Sequence, residues 1–187
     1  MRLTLFTDYS LRVLMVLATR TGSLVTISDL ASVYGISQAH LMKVTHALGK
    51  SGWVDTVRGR NGGMRLAVHP AKLNLGTIIR QLETDFALVE CFGEDDRCVL
   101  TGGCELAAVL ARAMQAFLQE LDRFSLADVA NASPALMALP LRQVITWHSP
   151  VKQPSVAVTP GAAEALLAAP ASKAGRRSSK ARIGAAK

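Results

Sequence analysis

Two short helical segments joined by a glycine turn, with a glycine-rich hairpin directly after them, limit the folds open to residues 26–68. Thr26 and Asp29 have the spacing of a capping box, and apolar residues at helical spacing follow them. Gly35 can adopt the positive φ that a tight turn requires, and Ser37 is placed to cap a second helix. A short helix, a tight turn and a second helix are typical of a helix-turn-helix.

The second helix is the candidate recognition helix. Three apolar residues are expected to form its buried stripe: Leu41, Val44 and Leu48. Rotation by about 100° per residue places six residues outward: Ala39, His40, Lys43, His46, Ala47 and Lys50. Because recognition helices contact base edges through their N-terminal residues, Gln38, His40 and Lys43 are the best candidates for base contacts. Ser37 is expected near a phosphate.

Residues 53–57 and 64–68 predict two strands joined by the basic turn 58–63. A hairpin placed directly after a recognition helix is typical of a wing. Arg58, Arg60 and Asn61 lie at its tip, and arginines there suit the narrow, electronegative minor groove of DNA. The alternative is an ordinary exposed hairpin whose arginines are solvated.

The formal charge of +7 is unevenly distributed along the 187 residues. Residues 1–80 hold ten Lys/Arg and three Asp/Glu, residues 81–150 hold four and ten, and residues 151–187 hold seven and one. The basic first block favours double-stranded DNA as partner, with an acidic membrane surface as the second candidate. The apolar run 11–18 is too short for a membrane span, and no export signal is evident, so we expect a cytoplasmic protein.

Three cysteines follow at the spacing C-x6-C-x5-C: Cys91, Cys98 and Cys104. An odd number excludes a fully paired disulfide framework in a monomer. The spacing lacks the paired knuckles of a structural zinc site. It suits an iron–sulfur cluster that lacks one ligand. Buried thiols or a thiol-based redox switch stay open as alternatives.

A long helix is predicted from Glu105, immediately after the third cysteine. Its apolar residues recur at intervals of four and three, a near-heptad seam made of Leu106, Leu110, Met114, Phe117, Leu121 and Phe124. Such a seam is either core or a dimer interface. We favour a homodimer interface, because helix-turn-helix proteins commonly bind palindromic operators as dimers.

These pieces together resemble the NsrR family of nitric-oxide-sensing bacterial repressors, which is sister to IscR. The resemblance is carried by the amino-terminal Met-Arg-Leu-Thr-x-Phe-Thr-Asp, the stretch 37–49, the wing 57–63 and the three cysteines, and it covers roughly residues 1–146. It implies a mainly α, winged helix-turn-helix homodimer holding a 4Fe–4S cluster, with 2Fe–2S as the alternative. It also implies that the fourth ligand is Asp8 from the partner subunit. IscR has a histidine ligand where this chain has Ala107. Without the resemblance, Asp8 would be interpreted as a helix cap or dipole partner.

The resemblance further implies a repressor of nitrosative-stress genes, released from promoter DNA when nitric oxide reacts with the cluster. The alternatives are an IscR-like sensor of cluster supply or redox state, a thiol-disulfide peroxide sensor, and a non-regulatory iron–sulfur or zinc protein. No catalytic motif is evident, so no enzyme activity is expected. We divide the chain into the DNA-binding domain 1–83, the cluster loop 84–104, the dimerisation helix and C-terminal helical segment 105–146, and a disordered basic tail 147–187.

Overall fold

The computed structural model describes residues 2–93 and 96–141. Within these ranges the chain forms seven α-helices and one two-stranded sheet. In chain order the elements are α1 Leu5–Thr19, α2 Ile27–Tyr34, α3 Gln38–Lys50, β1 Val54–Val57, β2 Gly63–Leu66, α4 Leu75–Leu82, α5 Glu105–Asp122, α6 Leu126–Asn131 and α7 Pro134–Met137. No helix in these ranges is long and apolar enough to cross a membrane. The predicted tail 147–187 lies outside the described residues.

The predicted helix-turn-helix is confirmed as α2 and α3. The backbone N–H of Asp29 donates to Thr26 Oγ1 at 3.1 Å, and the Asp29 carboxylate accepts from the Thr26 N–H at 3.4 Å, which completes the capping box. Gly35 ends α2 with a φ of 64°, in the left-handed region that favours glycine. Ser37 is the N-cap of α3. The mainly α, winged fold class expected from the sequence is therefore the one observed.

The hairpin forms as predicted but is shorter. β1 pairs antiparallel with β2, from Val54 opposite Leu66 to Val57 opposite Gly63. Beyond Leu66 the chain turns into the core, so the predicted second strand ends early. The structure also contains a backbone pairing that the sequence did not predict. Val25 and Met64 exchange two backbone hydrogen bonds of 2.9 and 2.8 Å, which join the wing to the segment before α2.

The core is built around α1. Its residues Val13, Leu14 and Leu17 are exposed by 2% or less, and α3 and α4 pack against the helix. The predicted stripe of α3 faces this core. A buried aliphatic side chain of this size contributes about 1.5–3 kcal/mol relative to an exposed one. The apolar face of α1 therefore organises the DNA-binding domain.

The C-terminal helices return to α1 rather than extending away from it. Leu126 and Ala130 of α6 are exposed by 0% and 1% and belong to the same core. Arg20, at the end of α1, donates to the carbonyl oxygens of Met137 at 3.1 Å and Leu139 at 3.2 Å. Part of the segment 105–146 thus completes the core of residues 1–83.

The long helix α5 has no buried residue. Leu106 in its apolar seam is 62% exposed and Phe117 is 37% exposed, while Leu110, Met114 and Leu121 are half-buried. The predicted seam extends beyond the end of the helix. α5 ends at Asp122, and Phe124 lies in the connection to α6. There the Phe124 carbonyl accepts a hydrogen bond of 3.0 Å from the N–H of Leu75, and this pairing ends the helical register.

An ion pair joins the end of α5 to α4. Both guanidinium N–H groups of Arg80 donate to the Asp122 carboxylate at 2.6 Å, and Asn74 Nδ2 donates to the Asp122 carbonyl at 2.7 Å. The hydrogen bonds from Arg80 hold the pKa of Asp122 below its ordinary value of 3.8. This bidentate contact fixes where α5 leaves the DNA-binding domain.

We expect Asp122→Asn to lower the free energy of unfolding by about 0.5–1 kcal/mol at pH 7, since both groups are partly exposed and screened by solvent. A carboxylate with a depressed folded-state pKa stabilises the protein above 3.8, and this contribution is lost as pH falls through the folded-state pKa. Urea denaturation of both proteins, at equal concentration and several pH values, measures the difference. Glu120→Gln, which removes the exposed pair with Arg123, is the matched control. An undiminished difference well below pH 3.8 would contradict this account.

Candidate DNA-binding surface and cysteine loop

The N-terminal half of α3 is presented to solvent. The Ser37 hydroxyl accepts from the N–H of His40 at 3.3 Å and so fixes the start of the helix. Ser37, Gln38, His40 and Lys43 are all exposed, as their predicted roles require. The helix therefore offers a donor-rich end of the kind that enters a DNA groove.

The imidazole of His40 has a neighbour on another helix. The rings of His40 and Tyr9 of α1 have centroids 6.2 Å apart and are tilted by 43°. This contact lies on one flank of α3. His40 is thus both a candidate DNA contact and a link between α3 and the first turns of α1.

Met42 was missing from the predicted outward set. Its side chain is 54% exposed, whereas Ala47, which was included, is half-buried. Rotation by about 100° per residue also turns Met42 well away from the stripe of Leu41, Val44 and Leu48, but its apolar character favours a place in the core. The signal was present in the spacing, because Met42 follows the exposed Gln38 by four residues, about one helical turn.

The wing tip places its polar side chains in solvent. Arg58, Arg60 and Asn61 are exposed, as predicted. The turn is tight, because a Cβ on Gly62 would collide with the carbonyl oxygen of Val57. Among the described residues, the ion pairs involve other arginines, so the wing arginines present their charge outward.

The three cysteines are free and partly buried. Cys91 lies in a short 3-10 turn, Glu90–Phe92, and Cys104 is the N-cap of α5. The backbone N–H of Cys98 donates to the Asp96 carboxylate at 3.0 Å. Desolvation, followed by the negative charges of Cys98, Asp96 and Cys104, raises the pKa of the Cys91 thiol above its ordinary value. The surroundings of Cys91 therefore disfavour its thiolate form.

The predicted ligands are not all brought together within one chain. Across residues 2–93 and 96–141, no three His, Cys, Asp or Glu side chains adopt an arrangement that would hold a metal ion. Asp8 lies in the first turn of α1, where both carboxylate oxygens accept from Arg12, at 3.0 Å from Nε and 2.8 Å from Nη2. This hydrogen bonding raises the pKa of Arg12. The donor chemistry of three free thiols and a carboxylate nevertheless suits an iron–sulfur centre.

An apolar cavity of about 400 Å³ lies beside the cysteine loop. It is bounded by the loop and by one face of α5, and its lining is Leu88, Val89, Leu110, Ala113, Met114 and Phe117. Three of these are members of the predicted seam. The seam is thus continuous with the loop that carries the first cysteine.

Comparison with known proteins places these features in a family. Residues 3–132 match the Rrf2 family, described as iron-dependent transcriptional regulators. The HTH-type transcriptional regulator NsrR of Bacillus licheniformis is 53% identical over 131 residues, 69% of this chain and 92% of the relative. NsrR of Bacillus subtilis is 45% identical over 141 residues, 74% of this chain and 97% of the relative.

Solved structures agree on the fold. CymR of B. subtilis, described as the global cysteine regulator, superposes with a TM-score of 0.60 at 25% identity, over 71% of this chain and 98% of that chain. T. potens IscR superposes with a TM-score of 0.57 at 24% identity, over 72% and 90%. The helix-turn-helix, its wing and these relatives define a DNA-binding transcriptional regulator, not an enzyme. The chain belongs to the Rrf2 family, as an NsrR-type member.

The salt dependence of DNA binding tests whether the wing arginines contact phosphates. We expect the double variant Arg58→Gln, Arg60→Gln to bind a promoter duplex more weakly and with a flatter dependence of log Kd on log salt concentration. The slope should fall by about 0.9 for each arginine that neutralises a phosphate. Fluorescence anisotropy across a salt series measures it. Arg112→Gln removes an exposed charge from α5 and is the matched control. An unchanged slope in the double variant would show that the wing does not contact DNA.

Proposed function

We propose that this chain is a DNA-binding repressor whose iron–sulfur cluster senses nitric oxide. Cys91, Cys98 and Cys104 would supply three ligands, and Asp8 of the partner subunit the fourth. The observation that carries the proposal is the set of three free, partly buried thiols on the segment between the DNA-binding domain and α5. A 4Fe–4S cluster is the expected form, with 2Fe–2S as the alternative.

The donor set has a weak member. When bound, the cluster supplies iron that nitric oxide can ligate. A carboxylate is a hard ligand and matches a thiolate-rich iron site less well than a fourth cysteine would. Thiols must lose their protons to bind iron, and their negative charges then repel one another unless a cation is present. The chain therefore contributes three thiolates that favour the metal and one carboxylate that is easily released.

The Asp8 carboxylate has a competing partner on its own helix. Both of its oxygens accept from Arg12, four residues later. A metal ligand would have to give up at least one of these charge-assisted hydrogen bonds. The ion pair with Arg12 is thus the arrangement expected when Asp8 is not a ligand, and it lowers the cost of release.

The same turns of α1 contact both helices of the helix-turn-helix. The Arg12 guanidinium lies 5.7 Å from the ring centre of Tyr34 in α2, and the Tyr9 ring lies beside His40 in α3. Exchange of the Asp8 carboxylate between iron and Arg12 would therefore act on residues adjacent to the DNA-binding surface. Allostery requires a two-state element that both sites influence, and this pair supplies one.

A second copy of the chain is the partner that the partly exposed seam of α5 fits. An 18-residue helix without a buried residue would leave Leu106 and Phe117 in water. Apolar seams of near-heptad spacing pair with one another in two-helix contacts. A homodimer would also present two recognition helices to a palindromic operator.

Nitric oxide titration tests the proposed function directly. Protein purified anaerobically should be brown, contain iron and sulfide, and bind a promoter duplex. Nitric oxide should bleach the visible absorbance and weaken binding by roughly 5–150-fold, the usual range of allosteric coupling. The triple variant Cys91→Ser, Cys98→Ser, Cys104→Ser should be colourless and unresponsive. Colourless wild-type protein with bound zinc, or equal specific affinity with and without the cluster, would refute the proposal.

Subunit mixing tests the ligand from the partner. Asp8→Ala and Cys98→Ser homodimers should each lack one ligand at both sites. A heterodimer of the two should regain one complete site, because Asp8 of the Cys98→Ser subunit meets the intact cysteines of the other. Iron content and visible absorbance of tagged, purified heterodimers should rise to about half the wild-type level, one of two sites. A heterodimer that resembles the Asp8→Ala homodimer would show that Asp8 does not ligate across the interface.

A further inference from the structure

The exposed face of α3 carries an apolar patch beside its polar candidate DNA contacts. Met42 is 54% exposed, whereas Leu41, Val44 and Leu48 of the same helix are exposed by 1% or less. Met42 is not among the partly buried residues that pack against the core. Ala39, three residues earlier and on a neighbouring position of the helix surface, is exposed as well. We refer to Ala39 and Met42 as the apolar step.

The apolar step lies on the side of α3 that is free to meet DNA. Met42 is four residues from Gln38 and four from His46, so the three form a line along the helix, and all are exposed. The opposite flank is taken by the contact between His40 and Tyr9. The line through Met42 is therefore an exposed side of the helix, away from the contact with Tyr9.

The chemistry of the major groove offers one apolar partner at base edges. Adenine, guanine and cytosine present donors and acceptors there, and thymine adds its C5-methyl group. A methionine side chain has no hydrogen-bond donor and only a weak acceptor, so phosphates and polar base edges are poor partners for it. Its three rotatable bonds let it reach a methyl group whose position varies.

We propose that Met42 contacts the C5-methyl group of a thymine in each operator half-site, with Ala39 beside it. The inference rests on the proposed function, because it requires α3 to lie in the major groove. Gln38 precedes Met42 by about one turn and has the amide that pairs with adenine. The apolar step thus makes α3 selective for A·T pairs under its N-terminal half. Single exposed apolar residues are common on protein surfaces, and it is the position on the recognition helix that gives this one a partner.

Removal of single methyl groups from DNA tests the contact. Cluster-loaded, full-length protein first selects its operator from a pool of random duplexes. Each thymine of that operator is then replaced by uracil, which lacks only the methyl group. One replacement in a single half-site should weaken wild-type binding about fourfold, the effect of one buried methyl group. Met42→Ala should bind the thymine and uracil duplexes equally at that position.

Two further variants separate this contact from a structural effect. Met42→Leu keeps an apolar side chain and should retain sensitivity to the methyl group. Met137→Ala removes a methionine that is 60% exposed on α7 and should behave as wild type. Alanine favours the helix, so we expect Met42→Ala to fold. Circular dichroism checks its folding, and visible absorbance checks that it contains the cluster.

The outcomes distinguish the two proposals. If wild-type protein selects an operator but Met42→Ala retains every methyl sensitivity, the contact with thymine is refuted while the proposed function stands. If no thymine methyl affects wild-type binding, the contact is refuted in the same way. If cluster-loaded protein selects no sequence, both proposals fail.

Discussion

The side chains of Val13, Leu14, Val16 and Leu17 fill the centre of the molecule, and α3, α4 and α6 all pack against the helix that carries them. Because α1 is amphipathic, burying this face fixes which residues stay outside. Asp8 and Arg12 keep exposed side chains, while Tyr9 and Tyr34 lie between α1 and the helix-turn-helix. The hydrophobic contact that folds the domain is thus also what positions the candidate sensor residues.

The parts of the fold that depend on local patterns were predictable from the sequence. Capping by Thr26 and Ser37, the turn at Gly35 and the stripe of α3 each follow from a few neighbouring residues. Non-local contacts were not predictable in this way. The pairing of Val25 with Met64 spans 39 positions, and no periodicity marks it.

The candidate site divides along the same line. Exposure of Gln38, Lys43 and the wing arginines follows from helix rotation and turn chemistry, and the structure agrees. Met42 was missed because apolar residues are assigned to the core by default, although a helix made to meet another molecule can expose them. The ion pair between Asp8 and Arg12 was not predicted. The i,i+4 spacing allows it, but the family resemblance directed attention to a ligand role for Asp8.

The two backbone hydrogen bonds between Val25 and Met64 have a mechanical consequence. They tie the wing to the strand-like residue that leads into α2, while the Thr45 hydroxyl contacts the Met64 sulfur at 3.6 Å from within α3. Met64 therefore connects three parts of the DNA-binding domain: the wing, the residue before α2, and α3. A change in the spacing between the wing and the recognition helix would break these contacts. A signal would therefore alter DNA affinity most readily by rotating the whole DNA-binding domain as a rigid body. In a dimer, DNA affinity would then depend on the distance between two DNA-binding domains of constant shape, compared with the helical pitch of the duplex.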